Sequence, residues 1–286
     1  MTSSAPNGFQ AVPNFIVIGA MRAGTTTLYE LLRAGGTVGV PRMKETDFFK
    51  DDVRFCKGEA WLRKQFSGFD KPTVDISPNY TKRDTFPGVA ERIRAFQPAA
   101  RFVYIVRDPV TRAVSQYKHM SAMGRTVPAP EDMLSDPHGQ HILNTSRYAY
   151  QLAPFLEYWP IDDILVLDFD HLVNDPAAAL RTVYDFFQIE AAENDPVSLQ
   201  ANTSEDLQKL PSWWGAFRRS SLGEFIRARA PRTAVARAKS MVSTSVPKTT
   251  EPAFADETLA DIASALRADA DSFRQLTGQS FPLWSV

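Results

Sequence analysis

The 286-residue chain carries 32 Lys plus Arg against 33 Asp plus Glu, is 44% hydrophobic, and holds 14 Gly, 20 Pro and one Cys. That length suits one large α/β domain or two small ones, and a net charge of -1 removes the bulk attraction on which a nucleic-acid binder depends, so any anion site must be local. The single thiol, Cys56, excludes an internal disulfide, the polar start lacks signal-peptide features, and no stretch approaches the roughly 20 apolar residues that span a bilayer; the expectation is a soluble, reduced, cytoplasmic protein with no nucleic-acid partner.

Residues 1–13 read as a flexible start. Phe15 to Ile18 (FIVI) is the first apolar run, and Thr26 to Arg33 follows it at helical spacing. Thr73 to Ile76, Phe102 to Val106 and Ile164 to Leu167 repeat the short β-branched pattern of buried parallel strands. Between and after them, Pro87 to Phe96, Pro109 to Met123 and Pro176 to Phe187 predict helices, each opened by a proline suited to the first turn. Residues 191–250 are less regular, and Arg218 to Lys239 sets seven basic residues against Glu224 alone. That segment fits a solvated face, a lid over a phosphate or a peripheral docking surface. Residues 256–277 predict a closing amphipathic helix with Leu259, Ile262, Leu266, Phe273 and Leu276 near one face. Strands alternating with helices predict one three-layer α/β domain over residues 14–286, a mostly parallel open sheet with helices on both faces and ligands beyond the carboxyl ends of the strands.

The most informative stretch is FIVIGAMRAGTTTLYELL, a buried strand that runs into a glycine turn and then a helix. Glycines let the backbone approach an anion, and the free N–H groups and dipole of the helix start attract negative charge. Gly19 and Gly24 have Walker A spacing, but Thr25 occupies the lysine position, which disfavours an ordinary ATPase or GTPase. Arg22, inside the loop, projects toward the terminal group of a bound nucleotide. A second strand-end feature, RDPVTRAVSQYKHM, sets Arg107 at the end of FVYIV and Ser115 eight residues on, so that a guanidinium fork and a hydroxyl can grip a terminal phosphate. Arg112, on the same helix, is expected to salt-bridge or face solvent.

GAMRAGTTTL resembles the 5'-phosphosulfate loop, GxxKxGTTxL, of sulfotransferases that use 3'-phosphoadenosine 5'-phosphosulfate (PAPS), a family similar in fold to nucleotide kinases. The resemblance implies that Arg22, Ala23, Gly24, Thr25 and Thr26 bind the phosphosulfate. It also implies that Arg107 and Ser115, in the family's RDPxxRAxSxY element, bind the 3'-phosphate. The co-substrate would leave as adenosine 3',5'-bisphosphate (PAP), with no metal required. Arg22 stands where the family generally has lysine; it can stabilise charge on the departing oxygen, but with a pKa above about 12 it is a poor proton donor.

On the acceptor side, VPRMKETDFF resembles the KExxFF element of glycan-type and bacterial sulfotransferases, which implies that Glu45 is the catalytic base and Lys44 a contact to donor or acceptor. Apolar rings around a carboxylate raise its pKa toward neutrality, which suits a base. Asp47 and His119 are rivals for that role, since small-molecule members use a histidine. DISPNY resembles EKSPxY, which points to Ser77 and Tyr80 as substrate contacts, with Ile76 in place of a lysine. SRYAYQLAPFLEYW resembles RYxxxLxxW, which puts Tyr148 against the cofactor or acceptor pocket. The acceptor implied is the hydroxyl or amine of a small molecule, lipid or glycan. A nucleotide-kinase-like phosphoryl transferase and a non-catalytic nucleotide-binding module remain as alternatives.

Overall fold

The computed structural model describes residues 13–41, 43–192, 195 and 253–286. The expectations for residues 1–12, for most of 191–250 and for the basic segment Arg218 to Lys239 fall outside them. Four strands form one sheet: β1 (Phe15–Gly19), β2 (Val74–Ile76), β3 (Phe102–Val106) and β4 (Ile164–Asp168). Their order is β2-β1-β3-β4 and every pairing is parallel. Each residue of β1, β2 and β3 is buried, which is why β1 and β3 are apolar without alternation.

The helices are α1 (Thr25–Gly35), α2 (Asp52–Phe55), α3 (Gly58–Gln65), α4 (Val89–Phe96), α5 (Pro109–Ala122), α6 (Pro137–Asn144), α7 (Tyr148–Leu156), α8 (Phe169–Asn174), α9 (Pro176–Phe187) and α10 (Asp256–Thr277). Pro109 and Pro176 open their helices as expected. Pro87 does not: α4 begins at Val89, after Gly88 turns the chain at φ 78°. Gly88 takes the left-handed conformation that entry requires, which leaves the proline in the turn before the helix.

From β1 the chain runs outward to β2, then crosses back past β1 to β3 and on to β4. Right-handed crossovers in opposite directions place helices on opposite faces. Accordingly α1 packs with α8 and α9, while α10 packs with α5 and α7. On α10 it is Ile262, Leu266, Ala270 and Phe273 that are buried, and the first two join Val110, Ala113 and Tyr117 of α5. The reversal of direction makes the gap between the carboxyl ends of β1 and β3 the switch point of the sheet, where open α/β folds bind ligands. Both anion motifs start there, at Gly19 and at Arg107. Among the described residues, no helix is long and apolar enough to cross a membrane.

Candidate active site

The loop after β1 is shaped for backbone exposure. Arg22 sits at φ 69° and Gly24 at φ 104°. A Cβ on Gly24 would come within 2.8 Å of the Phe169 ring, so the position demands glycine twice over. Gly24 caps α1 with no side-chain bond. The amides of Gly24, Thr25, Thr26 and Thr27 have no acceptor among the described residues, whereas Leu28 N already bonds to Gly24 O. Thr25 is buried and Thr26 exposed. Such a helix start presents free donors and a positive dipole end to an anion.

The two anion motifs meet. Arg22 Nε donates to Ser115 Oγ at 3.1 Å across 93 residues of sequence. Desolvation and then Arg107 lower the Arg22 pKa, so the two guanidinium groups share one field. Arg107 lies with its guanidinium 4.7 Å from the centre of the Phe169 ring, and that same ring abuts Gly24. The Arg107 backbone is locked instead: Tyr148 Oη accepts from its N–H at 3.2 Å and donates to its carbonyl at 2.7 Å. Asp108, the next residue, caps α5 through Thr111 N and receives both the N–H and the hydroxyl of Ser285 at 2.6 and 2.8 Å.

Tyr148 therefore does not line a pocket; it is fully buried and positions Arg107. Arg112 also departs from expectation, being fully buried and without an ion pair among the described residues. Its guanidinium donates to Ser146 Oγ, Gln116 Oε1, Ile142 O and, at 3.2 Å, Met21 O of the phosphate loop. Desolvation brings its pKa down to about 10. An arginine can sit there because four of its five donors meet two carbonyls, a hydroxyl and an amide oxygen in a fixed fork.

The acceptor loop hangs on Asp75, which is fully buried on β2. Three hydroxyls donate to it: Thr46 Oγ1 at 2.9 Å, Ser77 Oγ at 3.0 Å and Tyr80 Oη at 2.7 Å. Each hydroxyl in turn accepts from one backbone amide of the loop, Thr46 from Phe48, Ser77 from Asp47 and Tyr80 from Phe49. Burial pushes the Asp75 carboxyl up to about 6 even though these three bonds pull it down. Ser77 and Tyr80 are thus a clamp rather than substrate contacts, with 0% and 1% exposure. The same clamp buries the Phe48 and Phe49 rings, which pack against the half-buried Phe55 and Phe96.

Asp47 is consumed as well. Its two oxygens take the Asn79 amide at 3.1 Å each, and Lys50 reaches Oδ2 at 3.3 Å. Glu45 stays outside the clamp, its side chain 36% exposed and paired only with Lys44 at 2.8 Å among the described residues. His119 is exposed, and desolvation, then Arg22, Arg125 and Lys82, lower its pKa.

A family model for the sulfotransferase domain matches residues 12–212. The chain belongs to the sulfotransferase domain family. Curated relatives include the heparan sulfate glucosamine 3-O-sulfotransferase 5 of Mus musculus, 31% identical over 192 residues, which are 63% of this chain and 54% of that protein. Another is the 3B1 form from the same organism, 31% identical over 197 residues, 66% of this chain and 49% of that one. The chain thus spans about half the length of the curated relatives it matches. The crystal structure of a sulfotransferase from Alicyclobacillus acidocaldarius superposes with a TM-score of 0.64 at 18% identity, covering 96% of this chain and 99% of that one, which shows the fold. In this sulfotransferase domain the sequence points directly to the loop, Arg107, Ser115 and Glu45. It is silent about Phe169, Ser285, Lys82 and the role of Asp75, whose only sequence signal is a polar residue inside an otherwise apolar strand.

Proposed function

We propose that the protein transfers a sulfuryl group from PAPS to a hydroxyl or amine. The observation that carries this reading is the contact of Arg22 with Ser115, which draws the loop after β1 and the Arg107 turn together, with Arg22 and Arg107 close enough to act on one another. A donor with a phosphosulfate at one end and a 3'-phosphate at the other matches two anion sites side by side. The residues fit it: free amides at Gly24 to Thr27 for the phosphosulfate, and for the 3'-phosphate the Arg107 fork, with no hydrogen-bond or ion-pair partner among the described residues.

Glu45 takes the acceptor proton as the new S–O bond forms, while Arg22 and the loop amides receive the charge left when the bond from sulfur to the 5'-phosphate oxygen breaks. Asp47 has both oxygens occupied, which favours Glu45 over it as base. The acceptor class is a small molecule, lipid or glycan, and relatives named for a glucosamine 3-O-transfer favour a sugar hydroxyl.

The test compares melting midpoints with PAPS, PAP and ATP, followed by transfer from labelled PAPS to acceptor pools. PAPS and PAP should raise the midpoint and ATP should not, because only a ligand that prefers the native state stabilises it. Stabilisation by ATP alone contradicts the reading and favours a kinase-like enzyme.

A further inference from the structure

Lys82 lies where the two halves of the site meet, and no step above uses it. Its backbone is fixed by its neighbour: Thr81 N and Oγ1 both donate to Ile18 O, at 3.2 and 3.1 Å, one residue before the phosphate loop begins. Lys82 N continues that turn to Asn79 O, beside the amide that holds Asp47. The residue is only 8% exposed, yet its amine has no hydrogen-bond or ion-pair partner among the described residues. The nearby carboxylates are already paired, Glu45 with Lys44 and Asp47 with Lys50.

The charges that act on this amine are Arg112 and Arg125, which disfavour its protonation, and Asp47 and Glu45, which favour it, with His119 and His141 also in its field. His119 lies in the field of Arg22 as well as in that of Lys82. Burial, and then Arg112, lowers its pKa to about 8. A cation so little exposed, with no partner among the described residues, is costly, and a methionine would fill the same volume at no such cost. An anionic ligand group is what completes it.

We propose that the Lys82 ammonium is a further substrate-binding group of the site and holds the sulfonate oxygens of PAPS between Arg22 and Glu45. This rests on the donor assigned above. PAP lacks the sulfonate, so the two ligands separate the role of Lys82 from general nucleotide binding.

The experiment measures PAPS and PAP affinities by calorimetry for the wild-type protein and for Lys82→Met and Lys82→Arg. Lys82→Met should weaken PAPS by about 10- to 100-fold, the loss of one charge-assisted bond, and PAP by less than about threefold. Lys82→Arg should recover most of the PAPS affinity. Without ligand, Lys82→Met should melt higher than wild type, whereas a merely structural lysine would leave it melting lower. If Lys82→Met does not fold, Lys82→Gln carries the same comparison of ligands. Wild-type protein that binds neither PAPS nor PAP defeats the donor assignment. Wild-type binding of both, with the two ligands equally affected or equally unaffected by the substitution, overturns the role of Lys82 and leaves the donor assignment standing.

Discussion

The donor and acceptor halves of the site are built on opposite principles. Around Gly24 and Arg107 the groups that would touch a ligand are left open: four backbone amides without acceptors among the described residues and a guanidinium resting on a ring. Around Asp75 every polar group is closed, with three hydroxyls relaying three loop amides onto one buried carboxylate. Binding groups are kept unsatisfied until a ligand arrives, and positioning groups are satisfied within the fold, because an open hydrogen-bonding group in a dry interior is destabilising while an open one at a groove is hydrated. Glu45 stands at the border, one residue before the clamp and still half-open to solvent.

The sharpest way to break the comparison is Glu45→Gln, which removes a proton acceptor without touching either network. Transfer should fall by about 100- to 10,000-fold, the range of general-base catalysis, while PAP affinity stays within about twofold. Retained transfer measured with labelled PAPS would move the base to His119.

A second effect comes from the closed half and is one of stability. The native Asp75 pKa of about 6 lies above its ordinary 3.8, so between those values the folded state holds more protons than the unfolded one. The contribution of Asp75 to stability is therefore greatest below pH 3.8 and is lost as pH rises through about 6, by about 3 kcal/mol in all. Asp75→Asn abolishes that titration. Denaturant unfolding at pH 4 and pH 7 should show the variant gaining on wild type by about 2 kcal/mol at the higher pH, and a difference that does not move with pH would contradict the burial argument.

Tyr148→Phe tests the open half through its support. It removes both bonds to the Arg107 backbone, for an expected cost of about 1 to 2 kcal/mol in stability and a severalfold loss of PAP affinity. The smallest effect should be Arg22→Lys. Charge at the loop is kept and a better proton donor is gained, so labelled-PAPS transfer should be unchanged or somewhat faster; a collapse would show that the bond to Ser115 needs the guanidinium fork.

The local shape of the open half is legible in the sequence because its signals are local. Glycine at a position of φ 104°, a buried run with no alternation, and a proline at the first turn of α5 all report on the few residues around them. The closed half was misread for the opposite reason. Ser77 and Tyr80 carry polar tips that a motif assigns to substrate, but their partners on the acceptor loop lie about thirty residues away and are invisible to spacing. Ser285 reaches Asp108 from 177 residues away, and Tyr148 reaches Arg107 from 41. Arg112 looks like a surface cation until the carbonyls of Met21 and Ile142 are brought to it by the fold.

The central claim is that the turns after β1 and β3 grip one molecule at both of its phosphate-bearing ends. Calorimetry of PAP against adenosine 5'-phosphate, in wild-type protein and in Arg107→Ala, tests it most directly. Wild type should prefer PAP by about 100-fold, the worth of a bidentate charge-assisted contact, and Arg107→Ala should bind the two equally. Equal affinities in the wild-type protein, or a preference for PAP that survives the loss of Arg107, would contradict the account.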